Sequence, residues 1–225
     1  MSPTLEIALL WLAFTATHIG LSSDRMRPRL VGVIGAGPFM LLYSLVALVI
    51  FIPLVRNYFT YKHVGPWLWQ LPRGPVLEWT LILGMGVAFI LLVGGLIRPS
   101  PAMMIPGGNE ARGVQRITRH PITMAVVVFA LLHLLPNGAA SDLVFFGGFI
   151  VFGLLGARHQ DQRKLASGGE SFRRFYDETP FLPFTGRETL RGLRELGLVV
   201  PALGIMFTIV VRYFHATWMG GTFGS

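Results

Sequence analysis

The chain has 225 residues, of which 52% are hydrophobic and only 13% charged; it carries a net charge of +8 and no cysteine. A soluble globular domain carries about 25% charged residues, so half that share argues against a water-soluble enzyme, and the apolar content excludes a disordered chain. The lack of cysteine excludes a disulfide scaffold, a thiolate metal site, haem attached through a C-x-x-C-H motif and a cysteine nucleophile. What remains is an all-α integral membrane protein with room for about six spanning helices of about 20 residues each.

The N-terminal stretch MSPTLEIALLWLAF lacks a positive n-region and a small-residue cleavage site, so it reads as a retained first helix rather than a signal peptide. Apolar runs follow at residues 5–22, 31–55, 76–97, 121–135, 143–157 and 196–214. They are continuous rather than alternating, which favours helices over the strands of a barrel. The fourth and fifth fall short of a full span and are separated only by Pro136-Asn137-Gly138, which predicts a tight helical hairpin. Gly84, Gly86, Gly94 and Gly95 in the third run, and Gly204 with Thr208 in the sixth, are small enough to let helices approach closely. Trp67, Trp69 and Trp79 suit an interfacial belt around the third run.

Charge sets the predicted orientation. With the N-terminus outside, the inner loops hold Arg25, Arg27 and Arg29, then Arg98, Arg112, Arg116 and Arg119. The last inner loop, residues 158–195, adds eight more Lys or Arg, so that fifteen of the nineteen lie inside. That asymmetry predicts six spans in one bundle with both termini on the outer, periplasmic side of a bacterial inner membrane. The basic residues then meet lipid headgroups rather than nucleic acid. We read residues 1–225 as a single transmembrane domain. Its inner-face loop 158–195 is expected to hold an amphipathic interfacial segment, with Phe172, Phe175 and Tyr176 dipping toward lipid.

Ionisable groups within apolar runs are costly and mark function. His18 and His133 are such groups, whereas His63, His159 and His215 fall in loops or at helix edges and read as solvated. His18 shares a face with Thr15 and Ser22, and His133 with Thr123, Ala130 and Asn137, so each imidazole is aimed inward among small or polar neighbours. Two inward imidazoles on different helices are what a haem held between helices needs. The alternative is that each donates to a backbone carbonyl across a helix interface. The two differ in depth by about 8 Å, counted at about 1.5 Å per residue, and His120 is the other candidate partner for His18. Arg116, Arg119 and His120 gather at the start of the fourth helix, just before Pro121, where a propionate, a carboxylate or a lipid phosphate could be neutralised.

The stretch GVQRITRHPITMAVVVFALLHLLPNG, the segment FGGFIVFGLLGARHQDQRK and the opening THIGLSSDRMRP resemble the NnrU family of bacterial membrane proteins. The family name implies a link to nitrite and nitric oxide metabolism, hence to denitrification. The same residues resemble the 15-cis-zeta-carotene isomerases, which hold a haem b between two membrane histidines; His18 and His133 stand at those two positions. The resemblance implies haem-dependent redox or cis–trans isomerase-like chemistry on a hydrophobic or gaseous ligand, with an electron donor or a membrane-complex partner. Ala130 stands where those isomerases carry a cysteine, so a cysteine-for-histidine ligand switch is unavailable. A weaker resemblance, through R-H-P and the later F-x-x-F-Y-x-x-x-x-P-F-x-P, is to isoprenylcysteine carboxyl methyltransferases. It implies S-adenosylmethionine at His120, Arg119 and Tyr176, although the acidic pair of that family is missing. A third class is a non-enzymatic accessory subunit.

Overall fold

The computed structural model describes residues 1–103 and 110–219, the last four of these by backbone alone. Among the described residues there are ten helices and no strand: α1 Pro3–Leu21, α2 Met26–Ile34, α3 Ala36–Thr60, α4 Pro75–Ile97, α5 Val114–Ile117, α6 Pro121–Leu134, α7 Ala140–Ser167, α8 Gly169–Glu178, α9 Thr189–Glu195 and α10 Val199–Met219. All six apolar runs are therefore helical, as α1, α3, α4, α6, α7 and α10. Four helices (α1, α3, α4 and α7) are long and apolar enough to cross a membrane. The pair α9 and α10, bent by 84° at their junction, gives up to a fifth, and α6 is shorter. The chain is thus a multi-pass membrane protein in composition and helix length. Along α3, Leu41, Leu45, Leu48, Val49 and Ile52 stand exposed, as a lipid-facing surface requires.

Local chemistry sets the helix ends. Ser2 caps α1 by accepting from the Leu5 amide at 3.3 Å, and Pro3 occupies the first turn, where its missing N–H costs nothing. The short fifth run becomes a 28-residue helix, because α7 continues past Ala157. The added stretch RHQDQRKLAS is rich in straight-chain helix formers and meets no glycine until Gly168. The loop predicted to begin at Arg158 therefore starts ten residues later. The Pro136-Asn137-Gly138 turn lies, as expected, between the end of α6 and the start of α7.

The chain gathers into two compact units, one of residues 1–71 and 133–159, the other of residues 72–132 and 160–225. In the first, α1 packs on α3. Trp11 is buried; its Nε1 donates to the Phe145 carbonyl at 3.1 Å and its ring meets Phe149 edge-on at 4.8 Å. Gly148 leaves room for that indole, which any Cβ there would overlap. The loop after α3 is laced to the start of α7. Leu68 donates to Gly138 O (2.8 Å), Ala140 to Pro66 O (3.0 Å) and Ser141 to Val64 O (3.1 Å), around an isolated bridge of Trp67 with Ala139. Trp69 Nε1, expected at an interface, donates to Leu134 O at 2.9 Å.

In the second unit α4 packs on α10 and α5 on α9. Of the glycines predicted to permit close approach in α4, three do so: a Cβ on Gly84 would overlap Leu132, one on Gly94 would overlap Val114, and one on Gly95 would lie 2.7 Å from Ile122 Cγ1, whereas Gly86 has only Thr208 Oγ1 nearby, at 3.8 Å. At Gly204 the obstruction is backbone, with Ile90 N at 2.9 Å. Gly204→Val is therefore expected to cost about 1–3 kcal/mol, read as a lower unfolding temperature in detergent by far-UV circular dichroism. An unchanged transition would contradict this packing. One expectation is corrected here. Phe172 and Phe175 do not point into lipid; they are 4% and 1% exposed, packed with Ala102 and Ala111, with Leu165 and Tyr176 against them. An amphipathic helix looks the same in sequence whether its apolar face meets lipid or protein, and here two alanines supply the covering surface.

Candidate functional site

Within the first unit, α1 carries His18 into an aromatic enclosure. Its ring stacks on Phe14 at 5.2 Å, one helical turn earlier, meets Phe152 of α7 edge-on at 5.1 Å and lies 4.6 Å from Tyr43 of α3. The Tyr43 hydroxyl donates to the His18 carbonyl at 3.3 Å, tying α3 to this turn of α1. His18 Nδ1 is buried and, among the described residues, has no hydrogen-bond partner. Leaving such a nitrogen unpaired costs about 1–3 kcal/mol, so the position asks for a ligand. The bland alternative from the sequence, a carbonyl partner across the helix interface, is not what this nitrogen finds.

His133 belongs to the same unit and lies in the last turn of α6. Its ring stacks on Phe146 at 5.0 Å, and its carbonyl accepts from Asn137 Nδ2 at 2.8 Å, which fixes the turn that follows. Phe146 and Phe152 are six residues apart on α7, about 9 Å of rise. The two imidazoles therefore contact α7 at different levels, in line with the offset read from the sequence, and a group held by both must bridge it. Among the described residues no three His, Asp or Glu side chains converge as ligands for a bare ion. A haem iron asks the chain for axial ligands only, which two histidines can supply. In donor type alone, the two histidines are ones such a group could use.

The sequence reading missed a second centre in this unit. Asp142 is fully buried at the start of α7. Its carboxylate accepts from the Tyr58 hydroxyl (2.9 Å), the His63 amide (3.3 Å) and the Ala139 amide (3.3 Å), and lies 2.9 Å from His63 Nδ1. The bond to Ala139 is the reciprocal half of a capping box. His63, expected to be solvated, is thus held by a carboxylate and remains 39% exposed. A signal existed in the sequence: Ser141-Asp142, separated by two residues from a Pro-Asn-Gly turn, marks a helix start.

The R-I-T-R-H-P motif lies in the second unit, where it builds a brace. Arg119 donates through Nε to Asp161 (2.8 Å) and through Nη1 to the Thr179 carbonyl (2.7 Å), with its guanidinium 4.1 Å over the Tyr176 ring. His120 Nε2 lies 2.8 Å from the other oxygen of Asp161 and its side chain is 1% exposed. The backbone joins in: the Arg119 amide donates to Pro180 O and the Ser100 hydroxyl to Arg119 O. The residues that a methyl-transfer site would use are therefore locked together around Asp161. Arg116 is held by Glu195 at 3.0 Å and Glu188 at 3.3 Å. Burial pushes the Glu195 carboxyl up, but the Gly113 N–H and the Arg116 and Arg191 guanidinium groups outweigh it and hold it below the usual carboxylate range. Each of the three residues expected to neutralise an anion thus already has a carboxylate of the chain beside it.

The family model described as NnrU protein matches residues 6–222. The 15-cis-zeta-carotene isomerase, chloroplastic, of Arabidopsis thaliana is 27% identical over 231 residues, 99% of this chain and 62% of that protein. The protein of the same name from Zea mays is 25% identical over 195 residues, 81% of this chain and 51% of that protein. The chain thus spans between about half and three fifths of the length of these relatives. No solved structure matches.

Proposed function

The chain belongs to the NnrU family, and on that premise we propose that it is a membrane-embedded, isomerase-like protein that holds a b-type haem between His18 and His133. The observation that carries this reading is the buried, unpartnered Nδ1 of His18 inside an enclosure of Phe14, Tyr43 and Phe152. The relatives named as carotene isomerases support it, since their chemistry takes place on a membrane-soluble substrate. A haem bound there would supply an iron able to change oxidation state and ligation.

The chain's own part is positioning. Phe14, Tyr43 and Phe152 restrict the His18 ring, and the Tyr43 bond to the His18 carbonyl fixes the backbone beneath it. Phe146 does the same for the His133 ring. The aromatic walls favour an apolar ligand, a polyene or nitric oxide by chemical class. With no cysteine in the chain, a thiolate would not be available to such a group, and His18 and His133 are the residues that would hold it. Arg119 and His120 brace the second unit around Asp161. The fifteen inner Lys and Arg support six spans with both termini outside, in a bacterial inner membrane.

The test is haem content. Parent, His18→Ala, His133→Ala and His63→Ala proteins are purified in detergent from cells supplied with a haem precursor. His18→Ala and His133→Ala are expected to lose the Soret band, and His63→Ala to keep it. Parent-like haem in both His18→Ala and His133→Ala would refute the proposal.

A further inference from the structure

The second unit contains a cavity of about 810 Å³ that the haem reading does not use. It opens beside Arg98, the residue that closes the C-terminus of α4. That helix has 23 residues, about 34 Å at 1.5 Å per residue, enough to cross a hydrocarbon core of about 30 Å. The mouth of the cavity therefore lies at headgroup level.

Its charges divide into two sets. Arg112 pairs with Glu110, and Arg116 and Arg191 both pair with Glu195. Four charged lining groups remain, Arg98, Arg174, Glu170 and Glu178, and among the described residues none of their side chains makes a hydrogen bond or ion pair. Three of these belong to α8, at positions four residues apart, so they share one face of that helix. That face looks into the cavity, while Phe172 and Phe175 are buried in the core. Two cations and two anions without partners do not suit a simple anion, which Glu170 and Glu178 would repel. They suit a group that carries both signs.

We propose that this cavity binds the headgroup of a zwitterionic phospholipid, a phosphate ester with a primary amine. The phosphate is held by the guanidinium groups of Arg98 and Arg174, which offer forked donors to its oxygens. The ammonium is held by Glu170 and Glu178. The acyl chains then run along the apolar surface of α4, where Leu96 is 62% exposed and Ile97 49% exposed. This inference needs only that the chain lies in a membrane; it is independent of the haem proposal.

The test is native mass spectrometry of the full chain in detergent with phosphatidylethanolamine or phosphatidylglycerol of identical acyl chains. Preferential retention of phosphatidylethanolamine by about tenfold is expected, the worth of about one charge-assisted bond. The double variant Arg98→Gln/Arg174→Gln loses that retention, and Glu170→Gln/Glu178→Gln shifts the preference toward phosphatidylglycerol. All four side chains are exposed, so both variants should fold, with an unfolding transition matching the parent. Equal retention of the two lipids by the parent, or parent-like preference in both variants, would overturn the proposal. Binding of glycerophosphoethanolamine, which lacks acyl chains, as tightly as the lipid would assign the cavity to a soluble aminophosphate and overturn the lipid assignment.

Discussion

Asp161→Ala is expected to lower stability by about 3–5 kcal/mol, because it strands a buried charge. The guanidinium of Arg119 is 8% exposed and the His120 side chain 1% exposed, and one carboxylate serves both at 2.8 Å. Without it Arg119 keeps only the Thr179 carbonyl and the ring faces of Tyr176 and Phe181. The loss is read as a drop in the unfolding midpoint in detergent, followed by far-UV circular dichroism. Removing the cation as well separates charge from packing: Asp161→Leu combined with Arg119→Met should recover part of the loss, since an apolar pair of similar volume needs no desolvation. A single variant as stable as the parent would show that the brace does not hold the second unit together.

Asp142→Ala is expected to cost about 3 kcal/mol or more, by a different route. Here the stranded groups are donors: the Tyr58 hydroxyl, the His63 amide and the amide of Ala139, the residue before α7. Each unsatisfied buried donor costs about 1–3 kcal/mol, and the cap of α7 is lost with them. Asp142→Asn keeps the shape and one acceptor oxygen and should cost less. His63→Ala should cost little, because that ring is 39% exposed and can be replaced by water. The order, with Asp142→Ala worst, Asp142→Asn intermediate and His63→Ala mildest, is measurable by the same unfolding transition. Equal stability of the two Asp142 variants would contradict the donor account.

The parts of the fold set by local composition were legible in the sequence. The apolar runs became α1, α3, α4, α6, α7 and α10, and the glycines at 84, 94, 95 and 204 lie at close approaches. Of the six spans expected, four helices meet the length and apolarity of a span on their own, and the bent pair α9 and α10 gives up to a fifth. The polar continuation of α7 was missed because an apolar-run reading stops where charge begins, although helix propensity does not. Asp161 is 41 residues beyond His120, and nothing in the spacing joins them. Their meeting depends on α7 running past Ala157, so the error in helix length hid the partner of the motif. The burial of Phe172 and Phe175 was misread for the complementary reason: the apolar face was visible, its cover was not. His18 and His133 were legible as costly groups in apolar helices, and the structure adds the aromatic walls and the unpartnered nitrogen of His18.

The central claim is tested most directly by the absorption spectrum of the purified full chain, oxidised and dithionite-reduced, with a pyridine haemochrome assay. The account predicts a Soret band, reduced α and β bands, and b-type haem near one per chain. A colourless protein from haem-replete cells would contradict it, and His18 and His133 would then be packing residues.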